Sequence, residues 1–183
     1  GSTGLLALRA RGYKSWGDNP GYLYFGGNSE LRGYEYLQFV GQNAFFGNVE
    51  LRFPLIEAMA TPIGILGGVR ATLFAGVGGA SWDGQPFTFW TTNESVERPV
   101  VGYGPDLQPV YGDPVLVTGG RFVDGRASYG VSLSTFALGF PLHFDWSWRT
   151  LGSEEWEDVV YYAYGGSREF RRPQFTMWIG YDF

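Results

Sequence analysis

The stretch Phe175-Thr-Met-Trp-Ile-Gly-Tyr-Asp-Phe183 decides the fold. Aromatic or aliphatic side chains occupy every odd position from Phe175 to Phe183, while Thr176, Gly180 and Asp182 share the other face with Trp178. A period of two is the signature of a β-strand. One face of this strand is almost wholly apolar and carries aromatics at its ends, the pattern that transmembrane barrels present to lipid between their aromatic girdles.

The same alternation recurs upstream. Over 141–150, Leu142, Phe144, Trp146 and Trp148 alternate with His143, Asp145, Ser147 and Arg149. Over 127–138, Tyr129, Val131 and Leu133 alternate with Gly130, Ser132 and Ser134, and Gly139 and Pro141 supply turn chemistry between the two runs. The stretches 43–56 and 64–81 repeat the pattern, with Glu50, Arg52, Arg70 and Thr72 on the polar face, and 5–13 is a shorter strand carrying Arg9 and Arg11. Six strands are therefore expected, at 5–13, 43–56, 64–81, 127–138, 141–150 and 174–183. Short turns join the second strand to the third and the fourth to the fifth. Long loops at 14–42, 82–126 and 151–173 make the other connections, an alternation of short and long that characterises outer-membrane barrels. Within those loops, Val100–Tyr103, Val115–Val117 and Val159–Tyr164 are candidates to extend the strands as hairpins, and the acids Glu154, Glu155, Glu157 and Asp158 read as a solvated charged run.

Composition narrows the alternatives. The 29 glycines and 19% aromatics, with only 17% charged residues, suit many strands joined by turns better than salt-bridged helices. No run approaches the roughly 18 consecutive apolar residues of a membrane helix, so a spanning structure must be β. A net charge of −5 excludes a basic nucleic-acid face. The absence of cysteine excludes disulfides and thiolate metal sites. A soluble β-sandwich or an internal-cavity barrel would show the same alternation as core against water. The polar face separates these readings: Arg9, Arg11, Glu50, Arg52, Arg70, His143, Asp145 and Arg149 form a mixed, arginine-rich set that suits an ion-paired interior. All of 1–183 is expected to be one all-β, antiparallel transmembrane barrel domain.

Residues 22–57 carry a resemblance. Gly26-Gly-Asn-Ser-Glu-Leu-Arg-Gly-Tyr34, followed by Asn43-Ala-Phe-Phe-Gly-Asn-Val-Glu-Leu-Arg-Phe-Pro-Leu55, resembles the C-terminal barrel of the bacterial surface-antigen family, the BamA/TamA-like outer-membrane assembly and translocation barrels. The resemblance is close over 22–82 and 174–183 and loose elsewhere. It implies that Arg32-Gly33-Tyr34 is the tip of a loop folded into the lumen, with Arg32 held by the inward Glu50. An arginine buried there needs an acid, because its fork stays charged; Gly33 permits a tight turn and Tyr34 packs the tip against the wall. The family usually places a second acid in the next strand, where this chain has Gly76, and Asp145 is the candidate substitute. The resemblance also makes the last strand an assembly signal, through Phe175, Met177, Ile179, Gly180, Tyr181 and Phe183, read by addition to an exposed strand edge.

The family's barrel has more strands than the six found here, and Gly1-Ser-Thr lacks a secretory leader, so the expectation is a processed chain or a piece of something longer, completed by further strands or by self-association. The implied location is the bacterial cell outer membrane. The implied partners are the lipid bilayer, the outer-membrane assembly machinery and client outer-membrane proteins. The implied work is insertion or transport of proteins, with a passive structural or ligand-binding barrel as the alternative. No enzymatic activity, cofactor or metal is expected. His143 and Asp145 share a face as a base and its orienter would, but no nucleophile stands at a defined spacing, and Ser147 merely continues the row.

Overall fold

The computed structural model describes residues 4–62, 64–137 and 139–180, without the side chains of 58, 59, 61, 64–67 and 137. Six long strands form one antiparallel sheet: β1 (Leu5–Lys14), β2 (Asn43–Thr61), β3 (Gly64–Ser81), β4 (Arg126–Ala137), β5 (Phe140–Thr150) and β6 (Gln174–Ile179). Each pairs with its neighbours in chain order, so the sheet is a continuous meander. These bounds fall close to those expected from residue parity, with β2 running on to Thr61. A register shift between Pro54 and Ile56 lets β2 continue past a residue that cannot donate to the ladder. Among the described residues the sheet is open, with β1 and β6 at its edges. Tyr181 and Phe183 lie outside the described residues.

Register sets the two faces. On one face Glu50, Phe74, Gly130, Ser147 and Gln174 stand in a single row across β2 to β6. The next row is Arg52, Thr72, Ser132, Asp145 and Thr176. The opposite face carries Leu8, Val49, Leu51, Leu73, Tyr129, Val131, Phe175, Met177 and Ile179.

Burial is inverted relative to a water-soluble sheet. Leu8 is 71% and Met177 61% exposed, whereas Glu50 is 2% and Asp145 1% exposed. What covers the polar face is the long loop after β1. Its Leu23–Phe25 and Phe39–Gly41 pair as a ribbon, and Phe25, Leu31 and Tyr34 pack with Ala44 and Phe46 of β2 into the main apolar cluster. Phe25 lies 5.5 Å from Phe46, ring centre to ring centre.

The second long loop forms short two-stranded ribbons of its own, among them Val100–Tyr103 with Pro109–Tyr111 and Ser95–Glu97 with Val115–Val117. The third departs from expectation. Instead of extending a hairpin, 154–164 is helical: α1 spans Glu154–Val160, and a 3₁₀ turn spans Tyr162–Tyr164 before α2 at Gly166–Phe170. The Ser153 hydroxyl accepts from the Trp156 amide and the first turn holds Glu154, Glu155 and Glu157, so the start of α1 is both capped and matched to the helix dipole. Nor is the acidic run uniformly solvated. Glu157 is wholly buried, accepting from the Leu151 amide at 2.7 Å and from Arg171 Nε at 2.5 Å.

Candidate functional site: the loop lock and the edge strand

Arg32 sits where the returning loop meets the covered face of the sheet. Its Nη2 donates to Glu50 Oε1 at 2.7 Å, its Nε donates to the Asn28 carbonyl at 3.0 Å, and the same Nε lies 3.6 Å from Asp145 Oδ2. The guanidinium rests 4.5 Å from the centre of the Phe74 ring, which adds a cation–π attraction in a dry setting. Glu50 is shared: its Oε2 accepts from Arg52 Nε at 2.8 Å. Arg32, Arg52, Glu50 and Asp145 thus form a charge-balanced group of two cations and two anions. Balance matters because an isolated ion in such a place costs several kcal/mol, whereas a paired and hydrogen-bonded set is tolerated.

Geometry also accounts for the missing acid. A Cβ on Gly76 would come within 2.5 Å of Asn48 Oδ1 and 3.2 Å of Leu31 Cδ1, so Leu31 of the loop and Asn48 of β2 occupy the room an aspartate would need there. Asp145, two strands further on, lies 3.6 Å from Nε of the same guanidinium.

The rest of the tip follows from local constraint. Gly33 has φ +85° and a Cβ there would meet Ser147 Oγ at 3.0 Å, so both the turn and the close approach to β5 call for glycine. Tyr34 is buried against Phe39 and donates through its hydroxyl to the Ala127 carbonyl at 3.2 Å. Burial is the main reason that its phenol is pushed well above the ordinary tyrosine range. Arg9 of β1 donates to the Ser29 carbonyl at 2.7 Å, and Arg11 lies 3.8 Å from Glu30, which ties the loop to the first edge of the sheet.

The expected assembly-signal residues divide between the two faces of β6. Phe175, Met177 and Ile179 point to the exposed apolar side, and Gly180 follows the strand end, its amide donating to the Pro141 carbonyl at 3.2 Å. Trp178, which parity puts on the covered side and which is not among the expected signal residues, makes the contacts there. Its indole N–H donates to Asp145 Oδ2 at 2.9 Å, and its ring stacks on His143 at 3.8 Å with the planes 7° apart. His143 Nε2 faces the Gly180 carbonyl at 2.9 Å, an arrangement that requires the ring hydrogen on Nε2. The one sequence signal for Trp178 is its phase, since it breaks an otherwise small and polar face.

No family model, curated protein or solved structure matches the chain. Asp145 accepts from Ser132 and Trp178 and faces Arg32, while Ser147 Oγ donates to the Gln174 carbonyl at 3.3 Å. These groups hold neighbouring elements in place. Among the described residues no cluster of three or more His, Cys, Asp or Glu side chains is arranged to bind a metal ion. A cavity of about 720 Å³ runs between the loop and the inner side of β6, lined by Asn28, Tyr34, Tyr36, Arg149, Gln174 and Trp178.

Proposed function

We propose that this chain forms part of a transmembrane β-barrel in the bacterial outer membrane, of the protein-assembly or translocation type, which works through a strand edge and a lumen gated by the Arg32 loop. The observation that supports embedding in lipid is the inverted burial. Leu8, Leu51, Leu73, Met177 and Ile179 stand exposed on one face, while Glu50, Asp145, His143 and Ser147 are closed off on the other. Each such aliphatic side chain removed from water contributes about 1.5–3 kcal/mol, a gain that a bilayer supplies and water does not. The resemblance of Arg32-Gly33-Tyr34 and Glu50 to the surface-antigen barrels supports the assembly reading, as does the place of β6 at an edge of the sheet among the described residues, a position suited to pairing with an incoming strand.

Two measurements test the proposal. For embedding, Met177→Arg should weaken the folded protein in lipid vesicles by about 2–4 kcal/mol, the cost of a cation on a lipid face; an unchanged unfolding midpoint overturns the lipid-facing assignment. For assembly, Arg32→Ala should impair insertion of a small outer-membrane protein into vesicles carrying this chain while a folded β-sheet persists by circular dichroism. Normal client insertion with the variant, together with loss of ligand binding on trimming 82–126, establishes the passive barrel instead.

A further inference from the structure

We infer that Asp145 is a joint that couples the position of the Arg32 loop to the edge strand β6, so that withdrawing the loop loosens the strand that faces an incoming partner. The coupling stands on geometry; its use in capturing a client strand rests on the reading above.

A single buried carboxylate serves both elements. Its Oδ2 faces Arg32 Nε of the loop at 3.6 Å and accepts the Trp178 indole N–H of β6 at 2.9 Å, while Oδ1 accepts from the Ser132 hydroxyl of β4. Trp178 in turn lies flat on His143, whose Nε2 donates to the Gly180 carbonyl just past the strand end. The last turn of the edge strand is therefore held to β5 by side chains as well as by its ladder, and those side chains meet at Asp145.

The two acids respond differently to loss of the loop. If Arg32 leaves, Glu50 still has Arg52 at 2.7 Å. Asp145 loses its cation, because among the described residues Arg32 is the basic group paired with it. A carboxylate that is 1% exposed and has lost its cation is left dry with neutral donors alone, which favours its turning toward water. That turn weakens its hold on the Trp178 N–H. Thermodynamic linkage makes the coupling reciprocal: release of β6 must favour withdrawal of the loop by the same factor, so loss of the indole donor should loosen the loop as well.

Amide hydrogen exchange on the full chain in lipid vesicles tests this with Arg32→Gln and Trp178→Phe, the latter retaining an aromatic ring against His143. Arg32→Gln should speed exchange at 174–180 on the order of tenfold, Trp178→Phe should do the same at 26–38, and the double variant should fall short of the product of the two. Should Asp145→Asn fold, it should reproduce both effects; the first two variants decide the matter if it does not. Exchange changes confined to each variant's own element, or effects that multiply independently, overturn the joint. Client insertion measured on the same samples separates the two claims: coupled exchange with normal insertion sinks the assembly reading alone, and lost insertion without coupled exchange sinks the joint alone.

Discussion

Glu50, on the covered face of β2, and Glu157, in the short helix α1, are both closed off from solvent and both paired to arginine, yet they are satisfied in opposite ways. Glu157 draws on its own neighbourhood: the Leu151 amide, the Thr150 hydroxyl and Arg171 fourteen residues on. Glu50 depends on side chains alone, one of them carried in by a loop that must first fold back over the sheet. The local arrangement is a fixed cap, because losing any one partner leaves others covalently close. The non-local one is undone when a single element moves. The gating proposed above needs the second kind, since a device that releases must have a partner that can depart.

Removing the carboxylates is the sharpest way to break that contrast. Glu50→Ala takes away the acid that Arg32 and Arg52 share and should cost about 3–5 kcal/mol, read by urea unfolding in vesicles, with protease cleavage appearing at 26–38. A loop that stays protected in this variant would show that apolar packing of Phe25 and Leu31, not the ion pair, holds it. Glu157→Ala should cost less, about 2 kcal/mol of the local stability of the helical segment alone, because Arg171 is one-third exposed and can turn to water. Its damage should be limited to cleavage within 151–173, with the sheet's unfolding midpoint unchanged; a global loss of stability would erase the distinction between cap and lock.

Smaller changes probe the lock from the loop side. Gly33→Ala places a side chain at φ +85° and against Ser147, and should cost about 1–2 kcal/mol with faster exchange at 26–38 only. Tyr34→Phe removes the hydrogen bond to Ala127 for about 1 kcal/mol and should alter the alkaline limb of stability. Burial raises the Tyr34 pKa in the folded protein above its unfolded value, so the neutral phenol contributes stability in full below about pH 10 and loses it progressively as pH rises beyond that. Unfolding midpoints measured between about pH 8 and 11 should fall more steeply for the parent chain than for Tyr34→Phe. Parallel curves would mean that the phenol is hydrated in the folded state.

The six strands were legible in the chain because side-chain alternation is a local property: Leu142 to Trp148 against His143 to Arg149 fixes a face without reference to any other strand. The pairing of Arg32 with Glu50 was legible through the resemblance, and the structure places the two groups 2.7 Å apart. The helices after β5 were missed because Val159 to Tyr164 has strand-like composition, and the Ser153 cap and the acidic first turn outweighed it. The burial of Glu157 was missed for a related reason. A run of acids looks solvated until Arg171 and the Leu151 amide are known to face one of them.

By itself, then, the alternation of residues determined that this is an antiparallel β protein with one greasy face and one charged face, and it placed each residue on its face. Tertiary structure decided which charges meet. Arg32 and Asp145 are 113 positions apart in the chain, and only the register of β2 through β5, with the loop folded over them, brings the second acid to the guanidinium when Leu31 and Asn48 leave no room for one at Gly76. The physical reason is that alternation is set by the geometry of a single strand, whereas pairing of buried charges is set by the distances between strands, which no local pattern encodes.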